Sequence, residues 1–123
     1  MKSLPVKLGV ILIGLAIFGL VLGFVSFANA EVEFRNYNIV KNSESFKFYI
    51  TGVGVGLMWA NTGLENIGRP PLYCQPGKLA LNVDNILQIL DDYIDRKKDQ
   101  LKPDLPVEML LLYALKETFP CKK

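Results

Sequence analysis

From Phe46 onward the apolar residues Phe46, Ile50, Val53, Leu57, Ala60, Leu64 and Ile67 follow one another in alternating steps of four and three. Steps of that size return to one side of a 3.6-residue turn, so the stretch predicts a helix with one apolar stripe. Asn42 or Ser43 offers a side-chain acceptor to its first free N–H groups, and Gly68, followed by Pro70 and Pro71, ends it. A second helix is predicted from about Val83 to Lys97, capped by Asn82, with Val83, Ile86, Leu87, Leu90 and Ile94 inward. Asp84 in its first turn and Arg96, Lys97 and Lys98 at its end suit the helix dipole. A third begins near Asp104 and Pro106 and stops at Phe119, before Pro120. Its middle, "MLLLYAL", is apolar nearly all round, so it should be the most buried of the three. The pattern is that of an all-α domain of three to four main helices over 44–123. The preceding "EVEFRNYNIVKN" has no clear period, so 31–43 reads as a lead-in, either a short strand or a tether.

The first helix contains "TGVGVG", and three glycines in a helix interior destabilise it by about 1 kcal/mol each relative to alanine. A phosphate loop is excluded, because the stretch lies inside a helix and no Lys-Ser or Lys-Thr follows it. On a helical projection Gly52, Gly56 and Gly63 line up beside the main stripe, as a groove for close approach of another helix, and Gly54 points away from it. Phe48, Val55 and Trp59 form a second apolar row bordering Gly52. Two apolar rows need two neighbours, so this row is covered either by the lead-in or third helix, or by a partner or second copy.

The N-terminus changes the picture of where the domain resides. Lys2 and Lys7 precede an uncharged run from Leu8 to Phe27, and then come the small residues Ala28 and Ala30. That layout predicts a secretory signal peptide over 1–30, cleaved to leave Glu31 first, with an uncleaved inner-membrane anchor as the alternative. In either case the rest of the chain is expected in the periplasm. The chain has 14 Lys and Arg and 12 Asp and Glu. Lys2 and Lys7 are the only charges in the leader, so the exported part is balanced. Neither nucleic acid nor an anionic membrane surface is then expected as partner, because both are met through excess positive charge. Cys74 and Cys121, an even count in an oxidising compartment, read as one disulfide.

Candidate chemistry is sparse. The sequence has no histidine, and with both cysteines expected in a disulfide, Ser-His, Cys-His and common zinc arrangements drop out. Asp91 and Asp95 could share a helical face as metal ligands or an acid/base pair. The plainer reading is a solvated helix end with Asp92 and Arg96 paired four residues apart. No catalytic residue, metal or cofactor is expected.

"YITGVGVGLMWAN" (49–61), "PPLYCQP" (70–76) and "LPVEMLLLYALKETFPC" (105–121), in that order, resemble the Rap/Tai family of immunity proteins. These protect bacteria against peptidoglycan amidase effectors of type VI secretion. The resemblance implies a small helical periplasmic domain, a Cys74–Cys121 disulfide, homodimerisation, and inhibition of a cognate amidase by occluding its active-site cleft. Binding is then expected through the loops "RPPLYCQPGK" and "DRKKDQLKPD", with Arg69, Lys97, Lys98 and Asp99 as candidates, or through Phe48, Val55 and Trp59. The competing function is a periplasmic helical stress chaperone. An acid-triggered chaperone draws its switch from histidines or buried carboxylates, and the polar placement of the carboxylates here favours the inhibitor.

Overall fold

Local sequence sets the helix ends. A computed structural model describes residues 31–77 and 79–122, and the leader or anchor expected over 1–30 lies outside them. A 3-10 turn at Phe34–Asn36 leads into α1 (Tyr37–Val40), followed by α2 (Glu44–Asn66), α3 (Val83–Lys97) and α4 (Val107–Thr118), with a second 3-10 turn at Lys98–Gln100. The fold is all-α; an isolated bridge between Glu33 and Pro106 is the strand-like pairing present. Of the two candidate caps, Ser43 takes the role at α2, its Oγ accepting from the Phe46 N–H at 3.2 Å. At the far end Gly68 adopts φ 71°. Its N–H reaches Glu65 O at 3.0 Å and the Arg69 N–H reaches Leu64 O at 2.9 Å, which satisfies carbonyls the helix leaves open. Asn82 caps α3 through the Asn85 N–H at 2.9 Å.

The core is built on α4. Its Val107, Leu110, Leu111, Ala114 and Leu115 are buried, against Phe46, Ile50 and Gly54 of α2 and Ile86, Leu90 and Ile94 of α3. The third predicted helix is therefore the most buried, as its composition requires. α3 packs against both α2 and α4.

The lead-in is neither a strand nor a tether. Val32 O accepts from the Val107 N–H at 2.8 Å, while the Phe34 and Arg35 N–H groups reach Leu105 O and Pro103 O at 2.8 and 3.0 Å. These bonds lay the segment along the entry to α4 and deliver Tyr37 to the core. Its ring meets Phe46 edge-on at 5.7 Å and is completely buried. Its hydroxyl donates to Asp91 Oδ1 at 3.0 Å, an oxygen that also accepts from Lys41 Nζ at 2.8 Å.

The inward face of α2 departs from the sequence stripe. Ala60 and Ile67 are exposed, whereas Gly54 is buried and Asn61 half-buried. The stripe repeats every seven residues, and a straight helix drifts about 20° per heptad from such a repeat, so its last members rotate out of contact. The glycine assignment is corrected as well. A Cβ placed on Gly54 would lie 2.6 Å from Ile86 Cδ1, whereas one on Gly52, Gly56 or Gly63 would meet nothing within 4 Å. Gly54 is the residue that lets α3 approach α2. Gly52, Gly56 and Gly63 form no groove for another helix of the same chain among the described residues.

Candidate partner-binding surface

The chain between α2 and α3 begins as a proline-rich stretch with few backbone partners of its own, and α2 supplies them. Asn61 Nδ2 donates to Tyr73 O at 2.8 Å, and Asn61 Oδ1 accepts from the Leu72 N–H at 2.7 Å. One amide side chain thus satisfies a donor and an acceptor on successive loop residues. Tyr73 is buried, and burial pushes its hydroxyl pKa above the ordinary value. The Cys74 N–H then donates to Phe119 O at 2.8 Å. Cys74 bonds Cys121 with an S–S distance of 2.06 Å and a Cα–Cα distance of 4.9 Å. The disulfide joins the loop after the first long helix to the end of the last, as expected.

Pinned in this way, the loop forms one wall of an open groove of about 360 Å³, with Met58, Asn61, Thr62 and Glu65 of α2 opposite Gln75 and Pro76. Pro76 in that wall, and Arg69 and Pro70 at the start of the loop, stay exposed. The second candidate loop is only partly free. Lys97 is half-buried and lies 3.8 Å from Glu117, while Lys98 and Asp99 are exposed in the 3-10 turn. No ion pair or side-chain hydrogen bond joins Arg69 to that turn among the described residues.

Asp91 and Glu117 take structural roles. Asp91 holds Tyr37 and Lys41, and Arg96 turns to Glu117 at 3.0 Å across to α4 and away from the Asp92 pairing expected for it. The two oxygens of Glu117 face two cations at once, Oε1 meeting Arg96 and Oε2 lying 3.8 Å from Lys97. Among the described residues no group of three His, Cys, Asp or Glu side chains comes together as a metal site.

Phe48, Val55 and Trp59 are 78, 42 and 65% exposed. Neither the lead-in nor α4 covers the second apolar row, so of the coverings open to it, the two within the chain are overturned. Sequence reasoning missed Asn61, Tyr73 and Tyr37. A polar residue at the inward position between Leu57 and Leu64 is the signal for Asn61, while nothing in a run of prolines marks Tyr73 as core. No helix among the described residues is long and apolar enough to cross a membrane. Comparison with protein-family models, curated proteins and solved structures gives no match.

Proposed function

We propose that the domain is an exported immunity protein that binds a peptidoglycan amidase effector of type VI secretion and covers its active-site cleft. The observation that carries this reading is the loop from Arg69 to Pro76. It is held from three sides by Asn61, Tyr73 and the disulfide, and it still presents Arg69, Pro70 and Pro76 to solvent. A loop ordered before encounter loses little conformational entropy on binding, which suits it to fill a cleft. The ordered resemblance of residues 49–61, 70–76 and 105–121 to the Rap/Tai proteins supports the choice of target. A disulfide supports an oxidising compartment such as the periplasm. In this reading the chain acts by binding and uses no cofactor.

The test is protection from lysis. The full chain is expressed in bacteria that also export a peptidoglycan amidase of the type VI class, taken first from any such gene found beside its own. Survival is expected with the chain and lysis without it, and Arg69→Ala should weaken the purified complex by about tenfold, the loss of one interface side chain. Lysis at an unchanged rate, with no complex on mixing, would overturn the proposal. Suppressed aggregation of unrelated unfolded proteins in the same preparation would then favour the stress chaperone.

A further inference from the structure

Met58, Asn61, Thr62 and Glu65 stand at i, i+3, i+4 and i+7, so one face of α2 supplies one wall of the groove that Gln75 and Pro76 close from the other side. The donating side chains among them already have acceptors. Asn61 Nδ2 bonds Tyr73 O, Thr62 Oγ1 bonds Met58 O at 3.2 Å, and Gln75 Nε2 bonds Leu79 O. What these residues have left to offer is acceptors. The Glu65 carboxylate, the Thr62 hydroxyl oxygen and the Gln75 amide oxygen receive no side-chain hydrogen bond or ion pair among the described residues. The Tyr73 hydroxyl also lacks a partner, but it is buried away from solvent. Glu65 breaks a local rule. It lies in the last turn of α2, which holds no basic residue, where the open helix carbonyls already gather negative charge and a cation is preferred. It is exposed, and Arg69, four positions on, forms no ion pair with it. A charge kept against the local preference, with nothing in the described fold to offset it, points to a cation supplied from outside.

We infer that the groove between α2 and the loop after it receives an arginine side chain of another polypeptide. A guanidinium carries donors and no acceptor, in a planar fork that matches a carboxylate with two parallel bonds and still has N–H groups for further acceptors. Glu65 takes the fork, and Thr62 and Gln75 take the rest from the two walls. Met58 and Pro76 give the methylene stem an apolar bed, and an unbranched thioether adapts its shape to what lies on it. A lysine ammonium is a compact, strongly hydrated point charge and matches acceptors spread over two walls less well. A divalent cation is disfavoured because calcium asks for several carboxylate and carbonyl oxygens at once, and no group of three acidic or other metal-binding side chains comes together among the described residues. Free arginine is disfavoured too, since no cation among the described residues lines the groove to meet its own carboxylate. At about 360 Å³ the groove is near the lower end of ligand sites, room for one side chain entering from an open side. The inference rests on the groove alone and stands whether or not the amidase reading does.

The test is a titration of the isotope-labelled full chain, in the form the cell yields, with N-acetyl-arginine methylamide at fixed pH and ionic strength, followed by amide NMR shifts. A few charge-assisted hydrogen bonds over little buried area should give saturable binding at about 1–10 mM. The amides of Thr62, Glu65 and Gln75 should shift together. The citrulline analogue, neutral and of the same shape, should bind roughly tenfold more weakly, and the lysine analogue roughly threefold. Glu65→Gln keeps the shape and should weaken arginine binding by about fivefold with circular dichroism unchanged. Glu65→Lys should abolish binding, and Asp92→Asn, which removes an exposed carboxylate of α3, should not alter it. Lys78 follows Gly77 in the chain and lies outside the described residues, so Lys78→Gln is titrated as well and should bind within about threefold of wild type. Shifts that do not saturate or that centre on other carboxylates, citrulline binding as well as arginine, or a folded Glu65→Gln that binds like wild type overturns the inference. A groove that takes the probe only once Lys78 is replaced overturns it too, because the chain's own lysine is then its occupant.

Discussion

Two glycines two residues apart stand in opposite surroundings. Alanine at Gly54 gains about 1 kcal/mol in helix propensity, but its methyl enters the space of Ile86, which is itself fully buried. Overpacking of that kind costs about 1–3 kcal/mol. The terminal Cδ1 can yield somewhat, so a net loss of about 1 kcal/mol is expected in urea unfolding. Gly52→Ala meets nothing and should stabilise the fold by about 0.5–1 kcal/mol. Equal responses at the two sites would overturn this account of α2 packing. Tyr37 gives the residue scale its pH dependence. Burial first, and then the charge of Asp91 that its hydroxyl meets, push its pKa well above the ordinary tyrosine value. The folded chain holds this proton more tightly than the unfolded one, so the contribution is complete below about pH 10, where unfolded tyrosine ionises, and is lost as pH rises further. Tyr73 and Tyr93 act in the same sense, both raised chiefly by burial. Urea midpoints should fall on going from pH 8 to 10.5, and fall less steeply for Tyr37→Phe, which has no proton to lose.

At the scale of the element, the helix ends were the most legible part of the sequence, because capping depends on a few neighbouring residues. Ser43, Asn82 and Gly68 each act within three or four residues of themselves, and each does what its type predicts. The rotation of α2 was less legible. Its apolar residues fall on both sides, and the choice between Gly52 and Gly54 as the packing glycine depends on α3, some thirty residues away. Tyr37 was hidden for a related reason, since its burial rests on backbone bonds from 32–35 to the entry of α4, and no local period records them. The role of Asn61 follows from the rotation. On the apolar side of α2 it would be an unpaired polar group, and the loop passing over it supplies both partners. Asn61→Ala leaves the Tyr73 carbonyl and the Leu72 N–H without partners, and should destabilise by about 2–3 kcal/mol. Asn61→Asp keeps the acceptor for Leu72 and loses the donor to Tyr73, so its melting temperature should lie between alanine and wild type. An alanine variant as stable as wild type would remove Asn61 as the clamp of the loop.

For the whole molecule the question is how the loop after α2 keeps its shape in a domain of modest size. Composition and the expectation of export pointed to the disulfide, and the spacing of 47 residues lets it bridge the two ends of the fold. The surface it serves was legible only in part, because Arg69 and Pro70 are exposed as expected while Tyr73 between them and Pro76 is core. By the chain-entropy relation a crosslink of this span removes about 4 kcal/mol of freedom from the unfolded chain. Domains of this size are stable by only about 5–14 kcal/mol, so the bond is a large share of the total. It does not act alone on the native side, however. The Cys74 N–H to Phe119 O bond and both Asn61 bonds are independent of sulfur, and Tyr73 is held by packing. Reduction should therefore lower the unfolding free energy by about 2–4 kcal/mol while leaving the native helical content unchanged at low urea. Hydrogen exchange distinguishes the two kinds of support. Under reducing conditions the Leu72 amide should exchange faster only in proportion to the global loss. In Asn61→Ala with the disulfide intact it should exchange near the rate of an open loop. Were reduction alone to release Leu72 while the helices stayed protected, the covalent bond and not the amide clamp would be what orders the loop.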